Sequence, residues 1–393
     1  MTFSKIPQSS LRALREFTRG RERAILRLLR ELVEIESPSH DKAAVDRCGA
    51  RVAKEWRKRD ADVRVLRNAK RGNIVRAEIS PASPARAKAR RQIMILGHLD
   101  TVYPIGTIEK MPFRISGGRA WGPATFDMKG GLVLALFAVD ALRAARVPIA
   151  RKLVFLWTSD EEIGSDASRR AIADEARRSD AVLVLEPPYG IDGRAKTRRK
   201  GIGELVLEIH GRAAHAGINP EEGVNAAHEL AFQMARLMKM NDPRRGITVQ
   251  VNVISSGTGA NVVPDFARAE VDVRFSRAAD AKPLEKKLLS LRRVIKGARI
   301  VVHGGMNRPP LERTPAVEAL FYHAREIAKE LGFELGEAST GGGSDGSLTA
   351  AMGVPTLDGM GAVGDGAHSP REFVFVRALR QRAALIAGLL ATL

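Results

Sequence analysis

Three short apolar runs constrain this chain most. Ile93–Leu96 and Ala181–Leu185 are apolar throughout, Lys152–Thr158 is apolar between its two end residues, and helical patterns separate the three. Runs of this length read as strands buried on both faces. Strands alternating with helices imply an α/β fold, a mainly parallel sheet covered by helices. In open sheets of this kind, ligands gather at the carboxyl ends of the strands. Here His98 and Asp100 follow the first run, Asp160, Glu161 and Glu162 the second, and Glu186 the third.

The surrounding pattern supplies the rest of the architecture. Helices are expected over Glu22–Ile35, Asp41–Arg59, Leu132–Ala144 and Ser168–Arg178, with strands over Val63–Leu66 and Asn73–Ile79. Ser80–Arg91, with two prolines and several charges, reads as a loop. After residue 201 the order changes. Strands over Gly203–His210, Thr248–Ile254, Phe266–Phe275 and Arg299–His303 interleave with helices over Val224–Met240 and Pro283–Lys296. Strand-helix-strand-strand-helix-strand is the ferredoxin-like plan. From Arg308 the first pattern resumes, with helices over Thr314–Leu331 and Val376–Leu390 and a short strand near Pro355. Residues 202–307 therefore read as an α+β domain inserted into a domain built from 1–201 and 308–393. Two domains also suit a length of 393 residues.

Composition removes several function classes. The net charge of +19 raises nucleic-acid binding, but the basic residues are spread along the chain. The local runs Arg86–Arg91 and Arg194–Lys200 carry no interleaved aromatics. A solvated basic surface that attracts anionic substrates is the plainer account. Cys48 is the only cysteine, which fits a reducing compartment and leaves His and carboxylates as the metal donors. The first 20 residues hold no apolar core of signal-peptide length, and no stretch reaches the length of a membrane span. Cytoplasmic location is the expectation, with no nucleic-acid or membrane partner.

Several of these residues point to a metal. In an extended chain His98 and Asp100 face the same side, so one can bind an ion while the other orients it. Asp127 precedes the Gly130–Gly131 pair and a helix, where its two oxygens could bridge two ions. Of the neighbours Glu161 and Glu162, one can ligate while the other serves as a general base. His368, in GAHSPREF, adds a second imidazole. Asp, Glu and two His without Cys suit Zn²⁺, with Mn²⁺ or Co²⁺ as substitutes.

The motifs GHLDTVY, GPATFDMKGG, SDEEIGS, VLEP, GRAAHAG, TGGGSDG and GAHSPRE span most of the chain. In this order they resemble the co-catalytic two-zinc peptidases, a family that includes glutamate carboxypeptidase, aminoacylase and succinyl-diaminopimelate desuccinylase. HLDTVY followed by PFRISGGRAWGP is most similar to the bacterial glutamate carboxypeptidase branch. The resemblance implies two Zn²⁺ per subunit in a zinc-exopeptidase-like fold. His98 and Glu186 would hold one ion, Glu162 and His368 the other, and Asp127 would bridge them. Asp100 would orient His98, and Glu161 would be the general base. The peptide after the bridging Asp is often cis in this family. The inserted domain looks like the family's dimerisation or lid domain, which implies a homodimer. His215 matches a His that reaches the partner subunit's site and stabilises the oxyanion.

The same resemblance places Asn261, Arg274 and Gly343 at the substrate's terminal carboxylate, with Arg308 a weaker candidate. Arg194 stands where the branch has a Lys thought to contact substrate; it keeps the charge and changes the geometry. The implied activity is a carboxypeptidase that hydrolyses the amide bond to a C-terminal amino acid, glutamate or another acidic residue. The alternative within the class is an N-acyl-amino-acid deacylase. A basic binding protein on a retired enzyme scaffold is a reading from another class, and the intact set of ligands and base speaks against it.

Overall fold

Alternate side chains of one central strand feed two separate cores. The computed structural model describes residues 3–81 and 92–393. Strand β3 (Gln92–His98) is buried along its whole length. Ile93 and Ile95 enter one hydrophobic cluster, whereas Met94 and Leu96 enter another. This is the period-two consequence of a pleated strand covered on both faces.

The sheet around it is mixed. Strands β1 (Asp62–Leu66), β2 (Ile74–Ile79), β4 (Leu153–Thr158) and β5 (Ser179–Val184), with Thr356–Leu357, give the spatial order β1-β2-β4-β3-β5 followed by Thr356–Leu357. β4, β3, β5 and Thr356–Leu357 run parallel, while β1 and β2 form an antiparallel edge. Helices α1 (Gln8–Gly20), α2 (Glu22–Val33), α3 (Lys42–Arg57) and α4 (Gly130–Ala144) share the larger core with the helices Pro315–Glu330 and Val376–Thr392. Helix α5 (Arg169–Ala176) buries Ile172 and Ala176 against the opposite face.

The chain divides into two units, Met1–Arg198 with Arg313–Thr340 and Ser344–Leu393, and Arg199–Glu312 with Gly341–Gly343. The second unit is a four-stranded antiparallel sheet. Strands β6 (Gly201–His210), β7 (Thr248–Ser256), β8 (Phe266–Phe275) and β9 (Arg299–Arg308) lie in the order β7-β8-β6-β9. With helices α6 (Ala226–Met238) and α7 (Ala278–Leu289) this is the ferredoxin-like arrangement. Alternate residues of β8, from Ala267 to Phe275, face the core with Leu230, Leu284 and Leu288 of the helices.

Local chemistry sets the ends of several elements. Helix α6 begins at Ala226 because the Asn225 side chain caps it, accepting from the His228 N–H at 2.9 Å. Periodicity predicts helix over Pro283–Lys296, yet α7 runs Ala278–Leu289. The buried Glu229 carboxylate accepts the N–H groups of Val294 and Ile295, which takes that backbone out of the helical ladder. Helix α1 lies ahead of the first helix that the sequence predicts, and it buries Leu11, Leu14 and Thr18. A small sheet of Arg114–Ser116, Arg119–Trp121, Gly364–Asp365 and Phe373–Phe375 also appears. From residue 82 onward, the loop expected over Ser80–Arg91 lies outside the described residues, as does the basic run Arg86–Arg91. Among the described residues no helix is long and apolar enough to cross a membrane.

Candidate active site

His98 is the last residue of β3 and is almost fully enclosed. Gly97 before it is required by packing. A Cβ there would lie 2.4 Å from Met128 Cε, so only glycine lets Met128 reach the strand end. The His98 Nε2 lies 3.2 Å from Asp127 Oδ1 and 3.2 Å from Glu186 Oε1. Its Nδ1 lies 2.9 Å from the Asp100 carbonyl oxygen and 3.6 Å from the Asp100 carboxylate. Burial alone would lower the imidazole pKa, but the Asp127 and Glu186 carboxylates against it hold it well above the ordinary value.

A second imidazole approaches from the far side of Asp127. His368 Nε2 is 3.4 Å from Asp127 Oδ2 and 3.3 Å from Glu162 Oε2. These two carboxylates push His368 up to about 10. Asp127 thus presents one oxygen to His98 and the other to His368, and the paired imidazoles hold its pKa below the usual carboxylate range despite burial. The Asp127–Met128 peptide is cis.

Glu161 and Glu162 occupy one 3₁₀ turn, Glu161–Ile163. Successive residues of such a turn diverge by about a third of a circle. Ligand atoms of Glu161 gather with His98 and Glu186, and those of Glu162 with His98 and Asp127. The Asp100 carboxylate fixes this turn. Its oxygens accept the N–H groups of Glu161 and Glu162 at 3.2 Å each, and the Ser39 hydroxyl at 2.7 Å. Asp100 therefore supports the Glu161–Glu162 turn through its side chain and His98 chiefly through its main-chain carbonyl.

Two carboxylate-bearing segments have supports that the sequence did not reveal. Glu372 is fully buried, and its Oε1 accepts the N–H groups of Phe126 at 2.8 Å and Asp127 at 2.9 Å. Its Oε2 accepts the Ala124 N–H at 3.1 Å and the Tyr103 hydroxyl at 2.5 Å. Burial pushes Glu372 up to about 7, while these donors favour its charged form. The small sheet delivers it, since Phe373 pairs with Trp121 just before the Asp127 loop. The Glu186 carbonyl accepts the Gly361 N–H at 2.9 Å. Gly131 allows the start of α4 to pack on this region, because a Cβ there would lie 2.3 Å from the Leu185 carbonyl oxygen.

The donor set suits divalent metal. His98, Asp127, Glu162, Glu186 and His368 offer nitrogen and oxygen ligands and no sulfur, as Zn²⁺, Co²⁺ or Mn²⁺ accept. Glu162 Oε1 is buried without any hydrogen-bond partner, a cost that a cation would offset. Burial raises the pKa of this carboxyl group.

The match of residues 94–392 to the model of peptidase family M20/M25/M40 decides the affiliation. The chain belongs to this family. It is a hydrolytic enzyme of the metallopeptidase and amidohydrolase class. It is 30% identical over 373 residues to carboxypeptidase G2 of Pseudomonas sp. (strain RS-16), covering 93% of this chain and 88% of that protein. It is also 30% identical over 315 residues to a succinyl-diaminopimelate desuccinylase of Dechloromonas aromatica (strain RCB), covering 74% and 80% of the two chains. The fold is that of aminopeptidase PepT from Bacillus cereus, with a TM-score of 0.78, 20% identity, and coverage of 94% and 98%.

The remaining sites expected in this M20 chain fall into separate groups. In the second unit, His215 is exposed beside Asn261: Val262 pairs with His215, and the Asn261 carbonyl accepts the Ala216 N–H. His215 Nδ1 accepts the N–H groups of Gly217 and Ile218, both at 3.1 Å, so a neutral ring carries its proton on Nε2. Arg274 donates from Nε and Nη2 to Asp272 and from Nη1 to the Gly341 carbonyl. Gly343 packs against Ile202 and the buried Arg308, and its carbonyl accepts from Arg199 at 2.7 Å. In the first unit, Arg194 pairs with Asp192 at 2.9 Å and lies over the Tyr189 ring.

Proposed function

We propose that this chain is a two-zinc carboxypeptidase that cleaves the amide bond to a C-terminal amino acid, with a preference for glutamate or aspartate. The observation that carries this reading is the division of Asp127, one oxygen toward His98 and the other toward His368. In this reading His98 and Glu186 would hold one ion, Glu162 and His368 would hold the other, and Asp127 would contribute to both. Zn²⁺, for which Co²⁺ or Mn²⁺ can substitute, supplies carbonyl polarisation and a water of lowered pKa.

The chain's own residues perform the remaining work. Glu161 takes the proton from the attacking water and delivers it to the leaving amine nitrogen. Asp100 positions that base through the 3₁₀ turn and keeps the His98 ring oriented. His215, acting from the partner subunit of a homodimer formed through the second unit, donates its Nε2 proton to the developing oxyanion. Arg274, Asn261 and the Gly343 backbone receive the substrate's α-carboxylate. Asp272 takes Nε and one Nη2 hydrogen of the Arg274 guanidinium and the Gly341 carbonyl takes one Nη1 hydrogen, so the two remaining Nη hydrogens serve the substrate. Arg194 contributes the positive charge that favours an acidic side chain.

A small peptide is the proposed substrate. An N-acyl amino acid is the second reading, favoured by the similarity to a protein named as a desuccinylase. The single buried Cys48 suits a reducing compartment, and we place the enzyme in the cytoplasm. Neither nucleic acid nor membrane is a partner in this proposal. The test is a panel of dipeptides differing at the C-terminal residue, alongside N-acetyl and N-succinyl amino acids, assayed with Zn²⁺ present. Highest kcat/KM on C-terminal Glu or Asp supports the proposal. Equal rates on C-terminal Glu and Leu refute the acidic preference, and turnover confined to N-acyl amino acids favours the deacylase.

A further inference from the structure

A fully buried arginine outside the candidate metal cluster has no carboxylate partner among the described residues. Arg382, on the helix Val376–Thr392, is 2% exposed. Its Nε donates to the Gly361 carbonyl at 3.2 Å, and its Nη2 donates to the Gly193 and Gly359 carbonyls at 3.0 and 2.9 Å. Among the described residues none accepts a hydrogen bond from Nη1, and this nitrogen is not fully enclosed. A guanidinium carries five N–H donors, so two remain for a ligand. Burial lowers its pKa only to about 10, which leaves it charged at neutral pH.

Arg382 lines a cavity of about 370 Å³, with Phe333, Val363, Phe375 and Ala378 as apolar wall. The acids at its mouth are Asp192, which is paired with Arg194, and the exposed Glu334. An adjoining concavity shares Arg377 and Gln381 with this cavity and adds Arg15, Arg19 and Arg380, against Glu16 and the Glu22 that pairs with Arg380 at 2.9 Å. A charge buried without a counter-charge is unfavourable, and the three carbonyls only partly compensate it. The same carbonyls hold the guanidinium plane, so little orientational freedom is left to lose on binding.

We propose that this cavity binds a small organic carboxylate with an aromatic or branched aliphatic body, its carboxylate on Arg382 Nη1 and its body against Phe333, Phe375 and Ala378. The apolar wall selects against inorganic phosphate. The basic rim draws the anion in, more strongly at low salt. This site is independent of the carboxypeptidase reading.

The test uses full-length, Zn²⁺-loaded protein and 4-fluorobenzoate as probe, followed by ¹⁹F NMR titration. Saturable binding is expected, and 4-fluorobenzamide, which lacks the charge, should bind at least about tenfold more weakly. Arg382→Gln should weaken 4-fluorobenzoate by a similar factor. Ala378→Phe, on the half-buried outer part of the helix, fills the cavity without touching Arg382's carbonyl partners and should abolish binding even if Arg382→Gln fails to fold. No saturable binding to the wild type, or equal binding to wild type and Ala378→Phe, would overturn the proposal. The second result would place the probe elsewhere, including at the metal centre.

Discussion

Glu372 holds Asp127 by the main chain, its Oε1 accepting the Asp127 N–H at 2.9 Å. The same oxygen accepts the Phe126 N–H, and the other accepts from Ala124 and Tyr103. One buried carboxylate therefore fixes the loop on which the proposed bridging role of Asp127 depends. Glu372→Gln replaces one acceptor oxygen with an amide donor facing N–H and O–H groups. Metal affinity should fall about 10- to 100-fold, with the far-UV circular dichroism unchanged. Competition with a chromogenic chelator measures this, and unchanged affinity would remove Glu372 from the metal-binding machinery.

The sequence carried the architecture well where side-chain periodicity was strong and poorly where pairing was remote. Ile93–Leu96 and Lys152–Thr158 were legible because a strand buried on both faces is apolar at every position. The Phe373–Phe375 strand was not, since three residues cannot establish a period and its partner Trp121 lies far away in sequence. Glu372 was missed for the same reason, although it sits in the very motif that marked His368. The end of α7 depended on Glu229, a residue in another helix. The convergence of the His and carboxylate donors was legible because hard donors at successive strand ends meet in a parallel sheet. The hydrogen bonds that Asp100 accepts from the Glu161–Glu162 turn depend on tertiary geometry and left no local signature.

Glu161→Gln should separate the base from the ligands. It preserves shape and removes the proton acceptor, so kcat should fall by roughly 10²–10⁴ while KM changes little. Metal content should stay at the wild-type value, and Glu162→Gln should lose metal. Loss of metal from Glu161→Gln alone would reverse the two roles.

His323 sets a pH dependence of stability apart from the metal site. Burial lowers its pKa to about 4; its ring stacks on Phe3 at 4.1 Å and meets Thr392 Oγ1 at 2.7 Å. In the unfolded chain a histidine titrates near 6.5. As pH falls from about 6.5 to about 4, the unfolded state takes up a proton that the folded state resists, so the stabilisation present above 6.5 is lost across that window. For this partly exposed ring the loss is on the order of 2 kcal/mol. Denaturant unfolding of metal-free wild type and metal-free His323→Phe at several pH values isolates it. The variant should show the shallower decline, and parallel curves would refute the assignment.

His215 gives a test of the dimer. His215→Ala and Asp127→Ala variants, each nearly inactive, are mixed and allowed to exchange subunits. If His215 acts across the dimer, each mixed dimer contains one site with intact metal ligands and an intact partner histidine. Activity should then return in part. No recovery, with exchange demonstrated by mass spectrometry, would mean that His215 serves its own subunit or none.

The central claim is that Asp127 joins two metal centres. Anomalous diffraction at the zinc edge from crystals of the Zn²⁺-loaded enzyme tests it most directly. Two peaks roughly 3.5–4 Å apart are expected, one against His98 and Glu186, the other against Glu162 and His368, with Asp127 reaching both. A single peak, or a second one that Asp127 does not touch, would contradict the account.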